Sequence, residues 1–374
     1  MSAAAEVIVV GAGIVGGACA YELAAAGLRV AVVDAGFIGG GATAAGMGHI
    51  VVMDDSEAQF ALTRYSQMLW DDLTSEAPSN LELERCGTIW VAADDHEIAE
   101  VRRKFSYYGE RGVRTEILDS IALYDAEPHL REGLAGGLLV PGDSVLYPPC
   151  AAAFLLEKAL TRGARVHLGR AVSAIAGGAV SLADGTSLSA KYVINATGHH
   201  APKLTAGINI KPRKGHLVIT DRYPNLIRHQ LVELGYLKSA HRVASDSVAF
   251  NVQPRKTGQI LIGSSRQYGV QTGEVDSHIL SRMLRRAFEY IPRLAATSSI
   301  RTWTGFRAAT PDKLPLIGPS VGDPSILIAA GHEGLGITTA LGTARLIADF
   351  ILDRKPAIPA EPYLPSRQMS PAHA

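Results

Sequence analysis

The chain of 374 residues has no charge of either sign to spare, since 36 Lys and Arg stand against 36 Asp and Glu. Such a balance supplies no general field for a nucleic-acid backbone or an anionic membrane. No nucleic-acid partner is therefore expected. Cysteine is scarce: Cys19, Cys86 and Cys150 are odd in number and show no CxxC or Cys/His ligand spacing. That pattern indicates neither a disulfide framework nor a zinc site. The apolar stretch Val7–Tyr21 is too short to span a bilayer, and Met1–Glu6 supplies no basic segment before it. A cytoplasmic protein without a transmembrane segment is expected. Internal repeats, a Ser/His/Asp triad and a metal-binding cluster are missing too. Charged residues are 19% of the chain and hydrophobic ones 47%, which excludes a disordered chain and leaves core for two or three domains.

Glycine is what the chain has in surplus, with 38 residues. Fourteen of them fall in three stretches, Gly11–Gly17, Gly36–Gly48 and Gly331–Gly342. The first follows a β-branched run, Glu6–Val10, and reads Gly11-Ala12-Gly13-Ile14-Val15-Gly16. A helical pattern then runs to Gly27, and a second apolar run, Arg29–Val33, ends in Asp34. Strand, glycine turn, helix, strand and terminal acid together form a dinucleotide-binding fingerprint. Gly11 permits the turn, and Gly13 lets backbone approach a pyrophosphate at the helix start. Gly16 allows helix and strand to pack closely, and Asp34 accepts from the adenosine ribose.

An acid at that position disfavours a 2′-phosphate, but the fingerprint leaves NAD and FAD open. The other two clusters favour the longer, flavin-bearing cofactor. Ser325–Ala330 reads as a strand, Gly331–Gly336 as a turn and Ile337–Asp353 as a helix. Such a unit can set a positive helix end against a reduced flavin.

The remaining pattern predicts an α/β chain with a doubly wound, Rossmann-like domain into which an α+β, mostly antiparallel substrate domain is inserted. We place the nucleotide domain at residues 1–55, 140–205 and 305–354 and the substrate domain at 56–139 and 206–304. Helices are expected at Ser56–Leu73, Asp95–Gly109, Pro148–Arg162 and Ser277–Ile291. Strands are expected at Gln230–Ser239, Ser247–Val252 and Gln259–Gly263, among others. The proline-rich tail, Lys355–Ala374, shows no core face and is expected to run over the surface.

Five segments give the chain a family likeness: GAGIVG at 11–16, GATAAGMG at 41–48, NATG at 195–198, WTGFRAATPDKLPLIGP at 303–319 and AAGHEGLGIT at 329–338. Across nearly its whole length it resembles the D-amino-acid oxidase/glycine oxidase superfamily of flavoenzymes. Within that group, GMGHIVVMDD at 46–55 and PGDSVLYPPC at 141–150 look most like the β subunit of D-hydroxyproline dehydrogenases.

The resemblance implies FAD and dehydrogenation of an amino acid at its Cα–N bond, with hydride passing from Cα to flavin N5. It implies a cofactor lining of Gly11, Ala12, Gly13, Ile14, Val15, Gly16, Asp34, Ala42, Thr43, Ala45, Gly46, Met47, Val172 and Ala196-Thr197-Gly198. The turn His332-Glu333-Gly334-Leu335-Gly336-Ile337-Thr338 completes it. Arg307 falls where such enzymes bind the substrate carboxylate, a role that suits a guanidinium fork.

There are departures from the glycine oxidase pattern. Asn251 and Arg266 replace a tyrosine and a methionine, and Gly334-Leu335 replaces an arginine–asparagine pair. With His49, these make a more polar pocket, fit for cis-4-hydroxy-D-proline, with His49 or Asn251 bonding its 4-hydroxyl. No cysteine follows Cys150 and His49 is displaced from the place of covalent attachment, so non-covalent FAD is expected. Alternatives are oxidation of sarcosine, glycine, D-proline or an opine, a monooxygenase using NAD(P)H, and a FAD-binding assembly or relay subunit without its own substrate. Alpha and gamma subunits are the implied partners.

Overall fold

In the computed structural model, which describes residues 5–75, 77–235 and 246–369, two large sheets share the chain. The first has six strands, in the order Leu316–Pro319, Ile326–Ala330, Tyr192–Asn195, Val7–Val10, Val30–Val33, Arg165–His167. All neighbours are parallel except the outermost pair, Leu316–Pro319 with Ile326–Ala330. Val7–Val10 sits in the middle, and its four consecutive buried β-branched side chains are what a strand covered on both faces requires. The following helix, Ile14–Ala25, buries Gly16, Gly17, Ala18, Ala20 and Ala24. These small side chains let it lie closely against the helices Pro148–Leu160 and Gly336–Leu352. A three-stranded antiparallel meander, Val172–Ala176, Ala179–Leu182 and Ser187–Ser189, stands beside this layer.

The second sheet has nine strands, ordered His332–Glu333, Ser299–Ala309, Lys211–Thr220, Ile260–Arg266, Ser247–Pro254, Gln230–Glu233, Thr88–Ala92, Gly136–Val140, Glu116–Asp119. It is antiparallel throughout but for one pair, Gln230–Glu233 beside Thr88–Ala92. The fold is thus a Rossmann-like layer joined to a mostly antiparallel one.

Period-two alternation gives the second sheet two different faces. Ile89, Val91, Leu231, Phe250, Val252, Ile260 and Ile262 point into a core closed by the helix Ser277–Tyr290 through Met283 and Ala287. Their sequence neighbours Trp90, Gln230, Val232 and Asn251 point the other way, into a cavity facing the first sheet that Ser264 and Arg266 also line. The strands that build the core therefore also aim the polar side chains.

Several elements differ from expectation. The Ile260–Arg266 strand runs on past Gly263, because Ser265 and Arg266 still pair with Val248 and Ser247, and it brings Ser264 and Arg266 into the cavity lining. Gln230–Glu233 is shorter than expected, and 236–239 of the expected strand lie outside the described residues. The glycine turn encloses a two-residue strand, His332–Glu333, paired with Ala308 and Ala309. The tail is not wholly superficial: Tyr363 is 1% exposed and donates its hydroxyl to the carbonyl of Ala58 at 2.6 Å. Arg367 holds Asp312 at 2.6 Å. A single aromatic among prolines is too little for a periodic signal, which is why no core face shows in the sequence.

Candidate active site

A cavity of about 730 Å³ runs between the two sheets. One end is built from the first βαβ unit. Gly11 has a left-handed backbone, φ +113°, and a Cβ there would meet the Ala196 carbonyl oxygen at 2.6 Å. Strand, turn and the Asn195–Gly198 segment can meet so closely only without a side chain. The hydroxyl of Thr43 accepts from the Ile14 N–H at 3.0 Å, so the second glycine cluster folds back onto the helix start. Asp34 accepts from the N–H groups of Ala12 and Gly36, each at 2.7 Å, and this orders the rim while leaving further lone-pair positions on the carboxylate.

The second strand–turn–helix unit closes the cavity opposite. His49 bonds the Gly334 carbonyl through Nε2 at 3.2 Å, and the Thr338 hydroxyl donates to the His49 carbonyl at 2.9 Å. Burial, followed by a smaller contribution from Arg307, pushes His49 down to about 4 in spite of the bond to Gly334. The ring is neutral near pH 7. With Nε2–H donating, Nδ1 is an acceptor, and it has no hydrogen-bond partner among the described residues. His332 is buried, holds the Thr343 hydroxyl at 2.9 Å and is pushed down to about 3 by desolvation.

At the inner end three arginines gather around one acid. Arg307, on the Ser299–Ala309 strand, donates from Nη1 to the Ser265 carbonyl at 2.9 Å. Its guanidinium lies over Gly215, where a Cβ would stand 2.4 Å from Nη1, and beside Gly334. Arg213 is its cross-strand neighbour and bridges Glu333 at 3.2 Å, with Arg266 Nε 3.9 Å from the same carboxylate. Burial alone would raise the Glu333 carboxyl. Arg266, Arg213 and Arg307 outweigh it and bring the group down to about 2.

Of the residues expected at the site, Ala12, Gly16 and Thr338 do not line the cavity; the others do. Each of the three acts from behind. Ala12 donates to Asp34, and Gly16 packs on the Gly11 carbonyl, where a Cβ would sit only 1.9 Å away. Thr338 braces His49. Arg266 and Asn251 line the inner end as expected, though Arg266 faces Glu333.

Sequence reasoning missed Arg213, Trp90 and Gln230, all buried and all in the lining. Arg213 carried no usable signal, since it sits in a basic run with Lys211, Lys214 and His216. Among the described residues no His/Cys/Asp/Glu group could hold a metal ion, and no helix is long and apolar enough to cross a membrane.

The arrangement fits a flavin dinucleotide on its own terms. The cavity is glycine-walled at one end and lined at the other by buried polar atoms without partners among the described residues, His49 Nδ1 and Asn251 Oδ1 included.

Comparison with known proteins agrees with this geometry. A family model described as FAD dependent oxidoreductase matches residues 6–350. Glycine oxidase from Geobacillus kaustophilus is 26% identical over 97% of this chain and 97% of its own. A subunit of hydrogen cyanide synthase from Pseudomonas aeruginosa is also 26% identical, over 98% of this chain and 97% of its own. The crystal structure of L-proline dehydrogenase from P. horikoshii superposes with a TM-score of 0.87 at 25% identity, covering 99% of each chain. Fingerprint, cavity and family match converge, and the chain belongs to the FAD dependent oxidoreductase family.

Proposed function

We propose that the chain dehydrogenates an amino acid at its Cα–N bond, with cis-4-hydroxy-D-proline as the preferred substrate and 1-pyrroline-4-hydroxy-2-carboxylate as product. FAD, held without a covalent bond, supplies the hydride acceptor. The observation that carries the reading is Arg307, whose guanidinium is steadied by the Ser265 carbonyl and opened to the inner cavity by Gly215. A fixed fork of this kind binds a carboxylate bidentately and sets the orientation of Cα. Relatives named as glycine oxidase and L-proline dehydrogenase support an amino-acid substrate.

The chain's part is to bind, orient and exclude water. His49 is neutral and offers Nδ1 as an acceptor, which suits a ring hydroxyl better than a second cation would. Asn251 Oδ1 is a second acceptor in the same lining. We assign the cofactor lining to the two glycine-walled units and the substrate lining to the nine-stranded sheet, with domain limits as read from the sequence. Alpha and gamma partner subunits belong to the same proposal, supported by the hydrogen cyanide synthase relative being itself a subunit.

The test is anaerobic reduction of the purified FAD-loaded chain. Cis-4-hydroxy-D-proline is expected to bleach the flavin faster than D-proline, sarcosine, glycine or the L-isomers. Faster bleaching by one of those would reassign the substrate. Bleaching by none of them would favour a subunit that holds FAD without its own substrate.

A further inference from the structure

Glu333 is placed unusually for a residue in a glycine turn. It belongs to the two-residue strand His332–Glu333 at the sheet edge, and its backbone is left-handed, φ +50°. A non-glycine residue takes that conformation at a cost. The side chain it carries is a carboxylate facing the buried Arg213 at 3.2 Å and Arg266 at 3.9 Å. Both arginines are less than one-tenth exposed. The two come from neighbouring strands, which an isolated bridge between Lys214 and Gln267 joins at this level. Next to them, across the sheet register from Arg213, stands Arg307.

Three guanidiniums and one carboxylate thus line one chamber. Arg307 and the Arg213–Arg266 pair form adjacent seats for anionic groups. A small molecule with two carboxylates would match both, but the chain's own carboxylate already occupies the second. Arg266 and Arg213 hold that carboxylate ionised down to about pH 2. Any second substrate carboxylate would meet a like charge throughout the physiological range.

We propose that Glu333 determines specificity by filling the Arg213–Arg266 seat, which confines the site to substrates with a single carboxylate. The inference rests on Arg307 as the carboxylate anchor and extends that reading to the selection of substrate class. It implies that the strained backbone at Glu333 is maintained for discrimination, since glycine would meet the conformational need alone.

The experiment compares unreactive ligands on the FAD-loaded full chain by calorimetry, using pyrrole-2-carboxylate as the monocarboxylate and succinate as the dicarboxylate. The wild-type protein is expected to bind pyrrole-2-carboxylate at least tenfold more tightly than succinate. Glu333→Gly, which suits the backbone and vacates the seat, is expected to shift that ratio at least tenfold toward succinate. Adding Arg266→Ala to it should abolish the gain. Glu333→Gln keeps the size and removes the charge, and about a threefold shift in the same direction is expected. It keeps the question open to refutation if the glycine variant does not fold. An unmoved ratio in a variant that retains flavin absorbance and binds pyrrole-2-carboxylate overturns the role of Glu333 alone. Loss of pyrrole-2-carboxylate binding without any gain for succinate overturns it too, since Glu333 would then hold the substrate itself. Wild-type protein that binds neither ligand removes the anchor at Arg307, and this inference with it.

Discussion

At the scale of single residues, the site is decided by how a few charges are supported. Arg307 is useful because its position is fixed: Ser265 receives one N–H, and two glycines leave the guanidinium room. Arg307→Ala should weaken substrate binding by about 2–4 kcal/mol, as for one partner lost from a hydrogen-bonded charge pair. Titrating flavin spectral change against substrate checks this, and unchanged affinity would take Arg307 out of the site.

Protonation sets a second expectation. His49 is held at about 4 and His332 at about 3, both chiefly by burial. From about pH 6.5 downward the unfolded chain takes up protons that these native rings refuse, so acid weakens the fold. Asp143 works in the opposite sense. Burial raises it to about 7, so between about pH 4 and 7 the native state keeps a proton that the unfolded chain has lost. The urea midpoint should therefore fall from pH 7 to pH 5. Asp143→Asn, which copies the protonated form, should make that fall steeper.

Elements show where sequence reading reaches and where it stops. The helix Ile14–Ala25 was legible because turn, small residues and terminal acid lie within 30 residues of one another. Gly16→Ala would drive a methyl to 1.9 Å from the Gly11 carbonyl oxygen, a backbone atom that cannot turn aside. A loss of about 3 kcal/mol, with reduced flavin content, is expected from denaturant unfolding and absorbance. The arginine cluster was not legible beyond Arg307 and Arg266. Arg213 meets Arg307 only through the register of Lys211–Thr220 with Ser299–Ala309, and no local pattern encodes a pairing 94 residues apart. Glu333 lies in a strand too short to show any period. The tail escaped for a similar reason, its anchor being one ring. Tyr363→Ala should destabilise the protein by about 3–5 kcal/mol, measured by urea unfolding. A loss under 1 kcal/mol would return the tail to the surface.

On the scale of the whole molecule, the cavity is walled by both sheets, so whatever fills it ties them together. FAD at 100 times its dissociation constant should add about 2.7 kcal/mol to stability. The melting temperature should then climb with added FAD until the site saturates, and a flat response would separate the cofactor from the junction of the sheets.

The strand order also bears on how the chain is made. Tyr192–Asn195 lies between Val7–Val10 and Ile326–Ala330, so it waits for a neighbour that begins 131 residues after Asn195. At roughly 5–20 residues per second, translation of that interval takes about 7–26 s. Throughout it the outer edge of Tyr192–Asn195 lacks its native partner and is open to wrong pairing. Nascent chains stalled before Ile326 should need chaperone cover that the finished protein does not.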